Sequence, residues 1–393
     1  STADILRFLQ LEANYSSPIL PFLGGGFAYD YLATFEELPE VNPGANTYPD
    51  YEFLVAQTVL AVDHLQGTAH LEGWDIDDKR LREELDYLAS LPVAARFTAP
   101  QKERIRAVAD VDDAGFRADV DKLKGNIHAG DIYQVVPARA FTVECPNALA
   151  AYRALRETNP SPYMFYVRGA SYELFGASPE SNLKFTPEDR QVQLYPIAGT
   201  RPRGLNPDGS INHELDIRNE LDMRTDQKEV AEHTMLVDLA RNDLARVAVP
   251  RSRQVAELLH VDRYSRVMHL VSRVTATLHP DFDALDAYRA CMNMGTLTGA
   301  PKLHATELVR RTEGKRRGSY GGAVGYLRGD GAMDNCIVIR SAYVQDGTAV
   351  VQAGAGVVKD SVPQAEADET VHKAYAVLHA IAIAHGAELE VQR

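Results

Sequence analysis

The sequence predicts an α+β fold, built from large antiparallel sheets in a sandwich-like arrangement with helices outside. Three observations predict it. Strand-like runs sit beside one another in hairpin-sized groups, as over 163–168 and 172–176, or 334–344 and 348–358. Helical periodicity falls between those groups and not after every strand, which argues against strict βαβ alternation. No internal repeat and no low-complexity tract points to a solenoid or a disordered array.

Composition bounds what the chain does. Its 393 residues allow two or three domains, at ~100–200 residues each, or one large α/β body with an appendage. Hydrophobic residues make up 45% and charged residues 24%, ordinary for a globular protein. No apolar run approaches the ~20 residues of a membrane-spanning helix, so a membrane protein is not expected. Lys+Arg number 41 against Asp+Glu 55, a net charge of -14, which argues against a general nucleic-acid binder. A small anionic substrate stays open, because a few local cations outweigh a global charge. Cys145, Cys291 and Cys336 are odd in number and lack metal-ligand spacing, so free thiols in a reducing cytoplasm are expected. The chain begins with Ser1 and has no signal-peptide pattern. Either an initiator Met was removed or the chain is part of a longer protein.

In chain order, Ile5, Leu6, Leu9 and Leu11 predict a short helix, and LGGGFAYDY (23–31) a glycine loop feeding a strand. YEFLVAQTVLAVD (51–63) predicts one long strand. Residues 78–91 predict an amphipathic helix, with Leu81, Leu85 and Leu88 near one face. Residues 92–111 read as a surface linker, which divides the chain into an N-terminal region with linker (1–111) and a second domain (112–393). Phe116, Val120, Leu123 and Ile127 then recur at helical spacing until Gly130. A strand over 132–143 and a helix over 147–157 follow. Strands are expected at 163–168, 172–176, 181–185 and 191–197. One long helix spans 214–246, with Met235, Leu236 and Leu239 on its apolar side. A strand over 264–278, a helix over 283–293 and a helix over 302–313 opened by Pro301 come next. Strands at 321–328, 334–344 and 348–358 precede a closing helix at 363–385.

Two acidic pairs stand out. Glu229 and Glu232, and Glu366 and Glu369, each sit three apart in a helix and so share a face. Hard carboxylate oxygens that leave room for water suit Mg²⁺. The plain alternative is a pair of solvated helix faces. NMGTLTGAPK (293–302) reads equally as an anion cradle or an interhelical turn. Gly354 and Gly356 in QAGAGVV lack dinucleotide-fingerprint spacing and mark a bulge or a close backbone approach. His269, Glu180, Arg340 and Tyr326 each have a structural reading: a core histidine, a turn carboxylate, an arginine paired to a protein carboxylate, a strand tyrosine. There is no GxSxG, CxxC or HExxH, so serine hydrolase, thioredoxin-like and zinc-enzyme readings lack support.

Taken together the strings resemble the chorismate-utilising enzymes, and among them anthranilate synthase component I. They are GDIYQVVPARAF (130–141), NPSPYMFY (159–166), FGASPES (175–181), YPIAGTRPRG (195–204), ELDMRTDQKEVAEHTMLVDLARNDLARV (220–247), VDRYSRVMHLVSRV (261–274), YRACMNMGTLTGAPK (288–302), RRGSYGGAVGYL (316–327), NCIVIRSA (335–342) and QAGAGVVKDSVPQAEADET (352–370), in the family's order, with GGGFAYDYLATFEELP (24–39) ahead of them.

The resemblance implies two sheet lobes with the active site between them and a chorismate-binding catalytic domain over 112–393. It implies chorismate as substrate, ammonia as nucleophile, Mg²⁺ as cofactor, and a glutamine amidotransferase subunit as partner in a hetero-oligomer. It makes Glu229, Glu232, Glu366 and Glu369 the Mg²⁺ ligands and Lys373 a charge partner of the ring carboxylate. Arg340 and Tyr326 become the clamp on the enolpyruvyl carboxylate. Gly199, Thr200, Thr296, Gly354 and Gly356 become substrate contacts, Glu180 the general acid, and His269 the aid to pyruvate elimination. Gln134 stands where water-adding relatives carry a lysine, and Ala198 where aminodeoxychorismate synthases usually carry a nucleophilic lysine. Both imply direct amination and aromatisation to anthranilate. The alternatives are an enzyme stopping at 2-amino-2-deoxyisochorismate, an aminodeoxychorismate synthase, or a non-catalytic chorismate-binding subunit. Relatives usually carry a further segment ahead of Ser1 that completes a tryptophan site, of which Pro162, Tyr163 and Met164 represent one wall.

Overall fold

Period-two burial sorts most strands into two sheets. The computed structural model describes residues 2–11, 17, 19–92, 103–264 and 266–393. The first sheet runs Ile197–Pro202, Val267–Thr277, Gln191–Leu194, Ser181–Thr186, Met333–Ile337, Ala323–Leu327, Phe22–Phe27 and Tyr51–Ala56, with Gln254–Arg263 also paired to Val267–Thr277. The second runs Glu388–Gln392, Arg104–Ala109, Ala138–Glu144, Thr348–Gly354, Ser341–Gln345, Glu173–Ser178 and Tyr163–Arg168. Neighbours are antiparallel throughout, apart from Glu388–Gln392 on Arg104–Ala109. This is the expected α+β architecture.

Each sheet buries its own core. Leu23, Phe27, Leu183, Leu194, Val274 and Tyr288 fill the first, where the Phe27 ring stacks on Tyr288 at 4.4 Å. Phe141, Phe175, Val351, Val377 and Ile381 fill the second. Helices Pro363–His385 and Ala148–Thr158 contribute to that second core, and Gln227–Ala245 and Ala284–Cys291 to the first.

The chain passes directly between the sheets in two places, from Ser178 to Ser181 and from Ile337 to Ser341. The crossings are stitched together. The Ala177 N–H donates to Arg340 O at 3.0 Å, and the Ile337 N–H to Glu180 O at 3.0 Å. At a crossing the strand leaves the ladder, so its side chains are freed to face the space between the sheets.

Several elements differ from the sequence reading. The glycines of LGGGF lie inside the strand Phe22–Phe27, between two neighbours that approach too closely for side chains. A Cβ on Gly25 would meet Glu52 O at 2.0 Å, and one on Gly26 Ala323 O at 2.2 Å. Residues 51–63 divide into Tyr51–Ala56 and Thr58–Asp63, the second turning away to pair with Thr68–Gly73. The helix Asp78–Ser90 forms but has no buried residue. Of the expected linker, 93–102 lie outside the described residues, whereas Arg104–Ala109 is a strand with Ile105 and Ala107 buried. The expected strand over 132–143 breaks at Pro137, which has no N–H to donate. The one over 191–197 breaks at Pro196. The one over 334–344 breaks at Arg340, whose φ of 48° is left-handed. The long helix divides at Asp226, an extended N-cap whose carboxylate accepts the Lys228 and Glu229 N–H groups at 2.9 and 3.1 Å. Strands Gln254–Arg263 and Glu388–Gln392 were not expected.

A buried ion pair supports the space between the sheets. Arg317, 2% exposed, pairs with Glu313 at 2.6 Å and donates to Leu297 O at 2.7 Å and Val136 O at 2.6 Å. Its guanidinium lies 4.5 Å from the Tyr29 ring centroid. Arg317→Met leaves Glu313 buried without its cation, which costs about 3–5 kcal/mol. Urea unfolding should show that loss as a lowered midpoint, and an unchanged midpoint would mean that the pair is not holding the fold.

Candidate active site

Between the sheets lies a cavity of about 560 Å³. The first crossing supplies Glu180 and the second Arg340. The bulged strand Ile197–Pro202 supplies Ala198, Gly199 and Thr200, and Val267–Thr277 supplies His269. Helix Gln227–Ala245 presents Glu229 and Glu232, and helix Pro363–His385 presents Glu366, Glu369 and Lys373. Gln134, Thr296, Gly354 and Gly356 complete the wall. One chamber therefore gathers these residues from positions 134 to 373.

One residue expected among the substrate contacts is not in it. Tyr326 lies in the strand Ala323–Leu327, where alternation turns its ring onto Phe22, with centroids 5.2 Å apart. Tyr320 lines the cavity instead, on the turn just before that strand. Its hydroxyl would lie 3.1 Å from a Cβ on Gly354. This corrects the sequence assignment: a tyrosine inside a glycine-rich turn, GSYGG, was the overlooked signal. Pro162, Tyr163 and Met164, assigned by the resemblance to a separate tryptophan site, lie outside the main cavity. Strand alternation separates the last two. Tyr163 donates to Asp334 at 3.0 Å, Met164 packs on the second sheet's core, and Pro162 lines a smaller neighbouring chamber.

Glu180 is 5% exposed, and the Thr296 hydroxyl donates to it at 3.1 Å. Burial pushes its carboxyl up to about 8, opposed by that hydrogen bond and by the charge of Lys373. It is therefore largely protonated at neutral pH. Thr200 and His269 face each other across their strands, with Thr200 Oγ1 2.9 Å from His269 Nδ1. Burial and the nearby Arg340 charge push the imidazole below its ordinary value, which keeps it neutral.

Arg340 has no side-chain hydrogen bond or ion pair among the described residues. Its removal from water holds it below the usual arginine range. An unpaired guanidinium in a walled cavity is a receptor for an anion. The expectation of a protein carboxylate partner is not met.

Gln134 is held by the two-residue pairing of Gln134–Val135 with Gly299–Ala300, so NMGTLTGAPK acts as a brace and supplies Thr296. The Gln134 Nε2 donates to Glu232 at 2.7 Å, while its buried Oε1 has no partner. Gly356 lets the chain pass close to the Gln134 amide: a Cβ there would meet Gln134 Nε2 at 2.9 Å and push that amide aside. Lys373 pairs with Glu369 at 2.7 Å and donates to Gly354 O at 3.0 Å. Lys228, whose role the sequence left unassigned, also lines the cavity.

The four glutamates suit a hard divalent cation by donor type and shared chamber. Among the described residues, no three carboxylates are already gathered as ligands. Glu229 is engaged by Arg201 at 2.9 Å and Glu369 by Lys373. Burial pushes Glu232 up, and burial together with neighbouring Glu369 does the same to Glu366. A cation in the chamber would offset that burial at Glu232 and Glu366, whereas at Glu369 burial is outweighed by the Lys373 ammonium, which holds the carboxyl below its ordinary value.

Known proteins resemble this chain in sequence and in fold. Residues 2–379 match the chorismate binding enzyme family. The chain is 54% identical over 398 residues to anthranilate synthase component 1 of Salmonella typhimurium, covering 99% of this chain and 76% of that protein. The crystal structure of anthranilate synthase component I from Streptococcus pneumoniae TIGR4 superposes with a TM-score of 0.84 at 31% identity, covering 96% of this chain and 85% of that one. The menaquinone-specific isochorismate synthase of Escherichia coli shares the fold, with a TM-score of 0.75 at 21% identity over 97% of this chain and 82% of that one.

Proposed function

The chain belongs to the chorismate binding enzyme family, and on that premise we propose that it is an anthranilate synthase large subunit, converting chorismate and ammonia to anthranilate and pyruvate. The observation that carries the reading is the pairing of a protonated Glu180 with an unpaired Arg340 in one cavity.

Arg340 takes the enolpyruvyl carboxylate, with the Tyr320 hydroxyl beside it. Lys373 faces the ring carboxylate. Glu180 gives its proton to the departing ring hydroxyl, which leaves as water while ammonia forms the new C–N bond. Gln134 is a neutral amide and cannot deprotonate water, which favours ammonia. Its orphaned Oε1 is an acceptor that an ammonia N–H would satisfy. Aromatisation then removes a ring proton and releases pyruvate, whose methylene carbon gains a proton. Neutral His269 lies where it can carry a proton in that step. Mg²⁺, held by Glu229, Glu232, Glu366 and Glu369, would supply positive charge against the ring carboxylate.

Ammonia is delivered by a glutamine amidotransferase subunit in a hetero-oligomer. All three cysteines are buried, and burial pushes each thiol up, Cys145 to about 12, so none is poised as an amidotransferase nucleophile. We place the reaction in the cytoplasm, consistent with three unpaired thiols; among the described residues no helix is long and apolar enough to cross a membrane.

Incubating the purified chain with chorismate, ammonium and Mg²⁺ tests the reading. Anthranilate and pyruvate should appear in equal amounts, and glutamine should not replace ammonium. A product that keeps its enolpyruvyl group would make the enzyme an aminodeoxyisochorismate synthase, and no turnover would defeat the catalytic reading. Chelation with EDTA should abolish the activity, and full activity in EDTA would remove Mg²⁺ from the account.

A further inference from the structure

Arg201 follows Thr200 in the bulged strand, beside the junction where the helix His213–Thr225 gives way to Gln227–Ala245. Its guanidinium gathers carboxylates from both helices. Nε donates to Asp222 at 2.7 Å and Nη2 to Asp226 at 3.1 Å. Nη1 donates to Glu229 at 2.9 Å and to Thr200 O at 3.1 Å.

Asp226 closes this cluster into a ring. Its Oδ1 caps the second helix by accepting the Lys228 and Glu229 N–H groups, and its Oδ2 takes Arg201 Nη2. Glu229 is therefore held twice, at its backbone by Asp226 and at its side chain by Arg201. Arg201 occupies only Oε1. Oε2 lies on the Gly199 side, 3.3 Å from where a Cβ on that glycine would stand, and both residues line the main cavity.

Glu232 and Glu369 are held in a comparable way, each by a donor on Oε1, from Gln134 and Lys373. Such a donor fixes the direction of a carboxylate and leaves its second oxygen able to meet a cation. Arg201 is anchored further, by Asp222 and Asp226, which lie outside the expected ligand set. Those two carboxylates also offset its charge, so Glu229 is oriented without a bare guanidinium beside the site. On the reading that the four glutamates bind Mg²⁺, we propose that Arg201 is a positioning residue for that ion: clamped by Asp222 and Asp226, it aims Glu229 Oε2 into the cavity. The role needs a planar fork that reaches several carboxylates together, which a lysine does not supply.

The test measures Mn²⁺ binding, by the electron paramagnetic resonance of the free ion, in the parent, Arg201→Lys and Asp226→Asn, with urea unfolding of each. Arg201→Lys keeps the charge and loses the fork. Asp226→Asn keeps a helix cap and loses the carboxylate that anchors Arg201. Each should raise the Mn²⁺ dissociation constant about 10- to 100-fold, the usual effect of losing a group that orients a metal ligand. The Mg²⁺ concentration giving half-maximal anthranilate formation should rise in parallel. A parent that binds no Mn²⁺ would defeat the cation account, and this proposal with it. Given binding by the parent, an unchanged constant in Arg201→Lys would overturn the proposal alone, and a lowered urea midpoint would then mark Arg201 as structural. Tighter binding would also overturn it, because Arg201 would then compete with the ion for Glu229.

Discussion

Glu180→Gln should lower kcat for the ammonia-dependent reaction by about 10²–10⁴-fold, the range for loss of a positioned general acid. The substitution keeps the shape and the acceptor for the Thr296 hydroxyl, so chorismate KM should change little. The pH profile offers a second check. With the Glu180 carboxyl raised to about 8, its protonated form is present at neutral pH and is lost as pH rises through that value. At a fixed concentration of free ammonia, the parent rate should therefore fall on the alkaline side near 8. The Gln variant should lose that limb. A Gln variant within tenfold of the parent would show that another group protonates the leaving hydroxyl.

Arg340→Met should produce the other large effect, and in two opposed directions. Losing a charge-assisted partner for the enolpyruvyl carboxylate should cost about 2–5 kcal/mol in kcat/KM, roughly 30- to 5,000-fold. The free protein should be as stable as the parent, or more so, because an unpaired guanidinium held out of water opposes folding. Activity assays and urea unfolding on the same sample decide the matter. If stability fell along with activity, Arg340 would be a structural cation, as one reading of the sequence had it. The contrast with Arg317→Met is informative, because that arginine already has its carboxylate.

Much of the fold was legible because local signals were strong. Gly130, with φ of 85°, ends its helix as the pattern indicated, and Pro363–His385 has the expected bounds. The errors came where a local signal served a long-range contact. The glycines of LGGGF suggested a loop, but they are needed by strands approaching from both sides. The Ile105–Ala107 alternation is too short to stand out, and becomes a strand only through Ala138–Glu144 and Glu388–Gln392, distant in sequence.

The sequence by itself determined the ingredients of the site: two carboxylate pairs on helical faces, a glutamine where a base would be needed for water, and the family to which the motifs belong. Helical i, i+3 spacing is a local property, so Glu229 with Glu232 and Glu366 with Glu369 could be paired without a structure. Only the tertiary structure decided which residues meet. Tyr320 and Tyr326 are six residues apart in one motif, yet strand alternation and the preceding turn send one to the cavity and the other onto Phe22. Arg340 reads as a buried strand arginine until the crossing between sheets shows that it has no partner. The acid function of Glu180 is likewise set by burial between two sheets, because desolvation, a property of the whole surrounding volume, is what keeps its proton on.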